Sequence, residues 1–588
     1  MGRVALRGAV IGLLVGLAIG TLEVLHVAWF VRGGIFRTDL LLDAWLIDGG
    51  ILAVGGFITG FLLAIWRRPA RGGARRTAHA YTAAPAIPHS NPRTRRAVLR
   101  LTATGIAGLS IVGMTRHLGG QRRPAGVPAR AFFTAATDTA GVLTPPNVLL
   151  ITIDTLRADQ LGCYGHPFVK TPALDAFAAQ SARFGLHLVQ EPQTNPSHCS
   201  MFTGMYPSSS GVRIHMVDKL PNNLDTLATL FSRAGYATAG LYSWMSFDPQ
   251  YSNFQRGFQV YQDLTLNKPG LLSNPLIKQA AANFRVAEQY LAVPKEFSTL
   301  SGLNAQVEST SKGRGDRTTD SAIAQLSAFG KKPFFMWLHY FDPHYPYEPP
   351  GAFASLYDAG YRGALTGNIA TVDAILAGKL QPAGADLQRL VSLYQGEISY
   401  LDSQIARLFA ALDQQGLTQD TIVAVTGDHG ESFAEHMLFE ENGNIFHPKS
   451  LYNAEGRVPL LLRYPRVVKA GAVINVPTQA IDLFPTLLEL AGQPVPQQSE
   501  GASAVGLLSG ADNGQQRLAF ASMPDFVFTS IATPQWKLIQ NNASGQRRLY
   551  NMLHDIGETK DVLATNSDVG AQLSVQLATW MKAVKISS

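Results

Sequence analysis

Polar residues end several short apolar runs along this chain. NVLLITID (147–154) is a buried strand pattern that closes on an acid. LDTLATLFSRAGYATAGLYS (224–243) reads as a helix followed by a strand, and PFFMWLHYFDPH (333–344) as a strand that ends in polar residues. TIVAVTGDHGE (421–431) repeats the pattern of the first run. Apolar strands alternating with helical segments predict an α/β sheet. In open α/β sheets ligands bind beyond the carboxyl ends of the strands, where these acids and histidines fall.

The N-terminal part has a different pattern. VIGLLVGLAIGTLEVLHVAWFV (10–31) and AWLIDGGILAVGGFITGFLLAIW (44–66) each match the roughly 20 residues needed to cross a bilayer, and AVLRLTATGIAGLSIVGMT (97–115) gives a weaker third span. The loop between spans two and three is arginine-rich, which predicts that it is cytoplasmic. The N-terminus is then inside, and everything after about Arg116 lies outside the cytoplasm of a multi-pass membrane protein. TRRAVLR (94–100) is similar to a twin-arginine export signal. Glu23, His26, Asp43 and Asp48 lie in or beside the spans, where interfacial placement or pairing between helices accounts for them. Residues 117–146 read as a linker rich in Gly, Ala and Pro.

Charge narrows the partners. The net charge of +7 suggests nucleic acid until it is located: nine arginines between Arg67 and Arg100, with no acid among them, leave −2 for the rest. No nucleic-acid-binding face is expected. Two cysteines, Cys163 and Cys199, specify no disulfide framework and read as small buried thiols.

Asp154, Asp428 and His429 stand at strand ends. Carboxylates with imidazole suit one divalent cation such as Mg, Ca, Mn or Zn.

NVLLITIDTLRADQLGCYG, PSHCSMFTGMYPSSSGV, HYFDPHYPYEPP and VAVTGDHGESFAEH, in this order, resemble the sulfatase branch of the alkaline phosphatase superfamily. LYNAEGRVPLLLRYP, DLFPTLLELAGQP, WKLIQNN and LYNMLHDIGET extend the resemblance to about Asn566. It implies an alkaline phosphatase-like sandwich: a central mixed sheet flanked by helices over 147–495, and a small C-terminal subdomain over 496–588. It also implies a metal-dependent ester hydrolase acting on a small-molecule, lipid head-group or glycan ester.

In that family the core motif is Cys or Ser, any residue, Pro, Ser, Arg, and later Thr-Gly. Pro196, Ser197, Thr203 and Gly204 fit it, which puts Thr194 at the nucleophile position and His198 at the arginine position. Cys199 falls two residues past Ser197, outside the context for conversion to formylglycine. A formylglycine hydrate expels sulfate through its second hydroxyl, and threonine has only one. The family's Gly-Lys-Trp-His segment reads GLYSWMS (240–246) here, without Lys or His. These departures make a phosphate mono- or diester the expected substrate, hydrolysed or transferred through a phospho-threonine. Sulfate-ester hydrolysis without formylglycine is the second expectation, and a non-catalytic binding protein that keeps the fold is the third.

By resemblance Asp154, Thr194, Asp428 and His429 bind one metal, with Thr155 where the family has a second aspartate. His344 and His447 contact the ester or protonate its leaving group. His198, Asp342 and Lys449 are candidate substrate-binding residues: His198 is either a substrate contact or a packed residue, Lys449 either binds the anion or is solvated, and Asp342 is expected to orient His344 rather than bind the metal. His436 reads as a surface helix residue.

Overall fold

The computed structural model describes residues 145–265, 314–436, 445–447 and 450–586. The three expected spans, the export-like signal, nearly all of the linker and Lys449 lie outside the described residues. No described helix is long and apolar enough to cross a membrane.

A nine-stranded mixed sheet forms the centre. Its strands are β1 (Asn147–Ile153), β2 (Ala182–Leu188), β3 (Ala237–Tyr242), β4 (Val260–Asp263), β5 (Phe334–Tyr340), β6 (Thr421–Gly427), β7 (Arg457–Val458), β8 (Leu460–Arg463) and β9 (Val473–Gln479). The order is β4-β3-β5-β1-β6-β8-β2-β7, and β9 pairs with β2. From β4 to β6 all pairings are parallel, whereas β8 joins β6 antiparallel. All seven residues of β1 are buried. Val148 and Leu150 join Phe335, Trp337, Ile422 and Ala424 in a core on one face. Leu149, Ile151 and Ile153 join Met336, Leu338, Val423 and Val425 in a core on the other. Side chains alternate along a strand, so a continuous apolar run serves two covered faces.

Helices supply the covers: α1 (Pro172–Ala179), α2 (Thr194–Thr203), α3 (Leu227–Arg233), α4 (Gly315–Phe329), α5 (Ala385–Gln414), α6 (Leu483–Leu490) and α7 (Ser567–Ala583). The 30-residue α5 turns Leu390, Leu393, Tyr394, Ile398, Leu401, Ile405, Leu408 and Leu412 inward, the three-and-four spacing of one helical face. Its Asp402 carboxylate accepts the Ala173 and Leu174 N–H groups at 3.0 and 2.8 Å, which satisfies orphan donors of α1. On the opposite face α2 contributes Cys199, Met201 and Phe202 to the core and ends at Gly204, whose φ of 68° stops the helix.

A second, antiparallel sheet of four strands comprises β10 (Ala519–Ser522), β11 (Phe528–Ala532), β12 (Trp536–Asn541) and β13 (Arg547–Asn551). It is tied to the first. Ser522 N–H donates to the Gln190 carbonyl at 2.9 Å, and Phe520 N–H to Gln479 Oε1 at 2.9 Å. Lys537 on β12, fully buried, donates to Asn453 Oδ1 and pairs with Glu558, both at 2.8 Å. The loop between β2 and α2 and the segment entering β7 are thereby braced from the C-terminal side.

Candidate functional site

Asp154 follows the last residue of β1, Asp428 and His429 follow β6, and Thr194 opens α2. The parallel register aligns Ile153 with Tyr340 and with Gly427, so the chain ends come level. All four residues are at most 3% exposed. His429 Nε2 lies 3.5 Å from Thr194 Oγ1, 3.7 Å from Asp154 Oδ1 and 3.8 Å from Asp428 Oδ2. The four residues expected from separate segments are thus brought together.

The donors fit a cation. His429 Nδ1–H donates to the Gly430 carbonyl at 3.0 Å, which leaves the Nε2 lone pair facing the two carboxylates. Both oxygens of Asp154 and Oδ2 of Asp428 are buried without a hydrogen-bond partner. Burial pushes the Asp154 carboxyl up to about 7, and it raises Asp428 as well, helped by the facing Asp154 charge. Two acids and a lone pair turned inward repel each other unless something positive stands between them.

The surrounding loops are held tightly. Asp428 Oδ1 accepts the N–H groups of Thr155 at 3.1 Å and His429 at 2.7 Å. Thr155 takes a φ of 56°, which a β-branched residue adopts only under restraint. The restraint is Tyr394 of α5, whose hydroxyl donates to the Thr155 carbonyl at 2.7 Å and accepts the Arg157 N–H at 3.2 Å. Arg157 also donates to the Glu431 carbonyl at 2.9 Å and pairs with Asp159 and Glu435, which joins the loop after β1 to the loop after β6. Residue 430 must be glycine, because a Cβ there would stand 2.0 Å from the Ala454 carbonyl oxygen.

His344 and His447 lie beside this cluster. Their ring centroids are 4.9 Å apart, and the His447 ring is 4.3 Å from that of His429. His344 Nδ1–H donates to the Tyr345 carbonyl at 2.6 Å. His447 Nδ1 contacts Glu431 Oε1 at 2.7 Å, and Tyr347 O–H donates to Glu431 Oε2 at 2.8 Å. Burial pushes Glu431 up to about 8. Glu431 and Tyr347 were not among the expected residues, although Glu431 stands within the quoted DHGE motif.

Two expectations need correction, the substrate contact of His198 and the helical place of His436. His198, a candidate substrate contact, is fully buried. Its Nδ1–H donates to the Thr194 carbonyl at 2.8 Å, and its Nε2 accepts from Thr152 Oγ1 at 2.9 Å, so both ring nitrogens face protein. Trp337 Nε1–H donates to the same Thr152 oxygen at 3.0 Å. His198 therefore holds the main chain of Thr194. Oδ2 of Asp342 accepts the Gly315 N–H at 2.7 Å and caps the positive end of α4. His436 stands outside any helix, its ring stacked on Tyr452 at 4.1 Å.

Both cysteines are free. Cys199, five residues beyond Thr194 on a helix of 3.6 residues per turn, points into the core, and burial pushes its thiol up to about 12.

Comparisons with known proteins agree with this architecture. The family model "Sulfatase" matches residues 146–493, and "N-sulphoglucosamine sulphohydrolase, C-terminal" matches residues 441–585. The chain is 28% identical to the steryl-sulfatase of Mus musculus over 425 residues, covering 60% of this chain and 63%, under two thirds, of that protein. It is 27% identical to an arylsulfatase of Clostridium perfringens, covering 62% of this chain and 78% of that one. The phosphonate monoester hydrolase of Silicibacter pomeroyi shares the fold with a TM-score of 0.54 at 23% identity, covering 74% of this chain and 95% of that one.

Proposed function

Because the chain belongs to the sulfatase family of ester hydrolases, we propose that it hydrolyses a sulfate ester of a small molecule or glycan, with Thr194 as the nucleophile in a cation site. The sulfatases among its relatives favour the sulfate ester. One observation carries the rest: the Thr194 hydroxyl at the start of α2, 3.5 Å from His429 Nε2 and beside the carboxylate oxygens of Asp154 and Oδ2 of Asp428, none of which has a hydrogen-bond partner. Asp154, Thr194, Asp428 and His429 would hold a divalent cation, which lowers the pKa of a hydroxyl and screens an anionic ester.

The chain's own residues then have these tasks. Thr194 Oγ1 loses its proton to solvent and forms a bond to sulfur as the bond from sulfur to the ester oxygen breaks. His447, held by Glu431, or His344 beside it gives a proton to the departing oxygen. General acids of this kind contribute about 10² to 10⁴ in rate. His198 fixes the Thr194 main chain during the attack. Water then cleaves the ester on Thr194 and restores the hydroxyl.

A second reading, cleavage of a phosphate mono- or diester or transfer of its phosphoryl-linked group, is favoured by the threonine itself. With a single hydroxyl it cannot eliminate sulfate as an aldehyde hydrate does, and Cys199 is in the core. Paired para-nitrophenyl sulfate and phosphate, assayed with and without chelator, separate the two readings. A radiolabelled adduct on Thr194 from either ester identifies the nucleophile and the group. If neither ester is turned over with any divalent cation, both readings fail.

We further propose that the catalytic domain is anchored outside the cytoplasm by spans 10–31, 44–66 and 97–115, a placement supported by their apolar length and the arginine-rich loop. Reporter fusions after residues 80 and 130 should give opposite orientations.

A further inference from the structure

Two fully buried imidazoles, His198 and His339, lie beneath the carboxylates of the site. Their rings are 5.4 Å apart. The bonds of His198 are complete, because its Nδ1–H serves the Thr194 carbonyl and its Nε2 takes the Thr152 hydroxyl. It has no lone pair left for a cation and no proton left for a carboxylate. His339 differs: neither of its ring nitrogens has a hydrogen-bond partner.

His339 stands one residue before the end of β5, in register with Thr152 of β1, two residues ahead of Asp154. Aromatic rings wall it in, with Phe247 at 4.6 Å and Trp337 at 6.2 Å between centroids. Its Nε2 lies 3.4 Å from Asp154 Oδ2. The two oxygens of Asp154 therefore face two histidines, Oδ1 toward His429 Nε2 and Oδ2 toward His339 Nε2.

We propose that His339 is a positioning residue of the cation site, its Nε2–H holding Oδ2 of Asp154 so that Oδ1 is presented to the cation. A neutral imidazole carries one N–H, and a buried N–H seeks an acceptor. The Asp154 oxygen is within a few tenths of an ångström of the usual range, which ends near 3.2 Å, and a small rotation of the carboxylate closes the gap. Carboxylates that ligate metals are generally fixed by such a partner, and losing it costs about 10- to 100-fold in affinity. The inference rests on the reading of Asp154 as a ligand.

Mn(II) titration by calorimetry tests it on the full chain, with wild type, His339→Gln and His339→Met compared after circular dichroism has confirmed folding. Gln keeps a side-chain N–H, whereas Met fills a similar volume without one. The expected result is about 10- to 100-fold weaker binding for Met and recovery of most of that loss by Gln. Equal binding by Met and wild type would overturn the proposal, and so would a Gln variant as weak as Met, since packing or direct ligation would then explain the loss. If wild type binds no divalent cation, the reading of the site itself fails, which is a distinguishable outcome. Should Met not fold, His339→Leu replaces it, and should neither fold, a Gln variant weakened about 10-fold or more overturns the proposal.

Discussion

Replacing Asp154 with asparagine should stabilise the metal-free protein, and increasingly so as pH rises. Burial lifts this carboxyl from an ordinary 3.8 to about 7. A raised folded-state pKa means that the stability it contributes is fully present below the unfolded value and is lost as pH climbs through the folded one. Each pKa unit is about 1.4 kcal/mol, so holding Asp154 ionised costs the fold about 4 kcal/mol at pH 8. At pH 5 the folded protein keeps the proton while the unfolded chain has mostly lost it, and the cost is about 2 kcal/mol. The Asn variant should therefore exceed wild type by about 2 kcal/mol more at pH 8 than at pH 5. Taking the difference matters because His187 and His198, pushed down to about 3 by burial, destabilise both proteins alike in acid. Urea unfolding of chelated protein at half-unit pH steps measures it. Adding Mn(II) at about 100 times its dissociation constant should return about 2.7 kcal/mol to wild type and little to the variant, which narrows or reverses the order. A variant-minus-wild-type difference that stays flat from pH 5 to pH 8 would refute the account of Asp154 as an acid whose pKa is raised by burial.

Thr194→Ala should abolish turnover of both ester classes, whereas Cys199→Ala should retain it; a dead Cys199→Ala that folds would move the nucleophile. His447→Ala should slow esters with poor alkyl leaving groups by about 10² to 10⁴ in kcat and para-nitrophenyl esters far less. Glu431→Gln should show the same leaving-group dependence more weakly, and equal losses on both substrates would remove His447 from proton transfer. Tyr394→Phe leaves the Thr155 carbonyl and Arg157 N–H without their partner and should lower stability by about 2 kcal/mol in urea unfolding. Cation affinity should rise about tenfold per pH unit until near pH 7, where Asp154 no longer has a proton to give up; calorimetry across pH 5.5–8 checks the slope.

Strand ends were the legible part of the site. Asp154, Asp428 and His429 could be picked out because each follows a run that the alternation of apolar residues marks as a strand, and such runs end at one edge of a parallel sheet. Thr194 needed the register of Pro196, Ser197, Thr203 and Gly204. The roles beneath the surface were not legible. His198 stands in a segment dense with polar residues that leaves substrate contact and packing equally open, and α2 turns its ring onto Thr152. His339 is a single histidine inside an apolar strand, two positions after Trp337, and its spacing does not show that the neighbouring strand brings Asp154 above it. Asp342 follows its strand as Asp154 does, yet the main chain directs it to the start of α4. Main-chain direction decides such cases, and local sequence carries little of it.

Lys537 and Glu558 have a consequence for anyone dividing this chain. Placing a boundary at residue 495 would leave the catalytic part intact on paper, but Asn453 would lose the ammonium on its Oδ1 and the carboxylate that accepts its N–H. The Gln190 carbonyl, four residues before Thr194, would lose Ser522 as well. The four-stranded sheet is in this sense not a module that can be shed. Expression trimming or recombination should treat 147–586 as one indivisible piece.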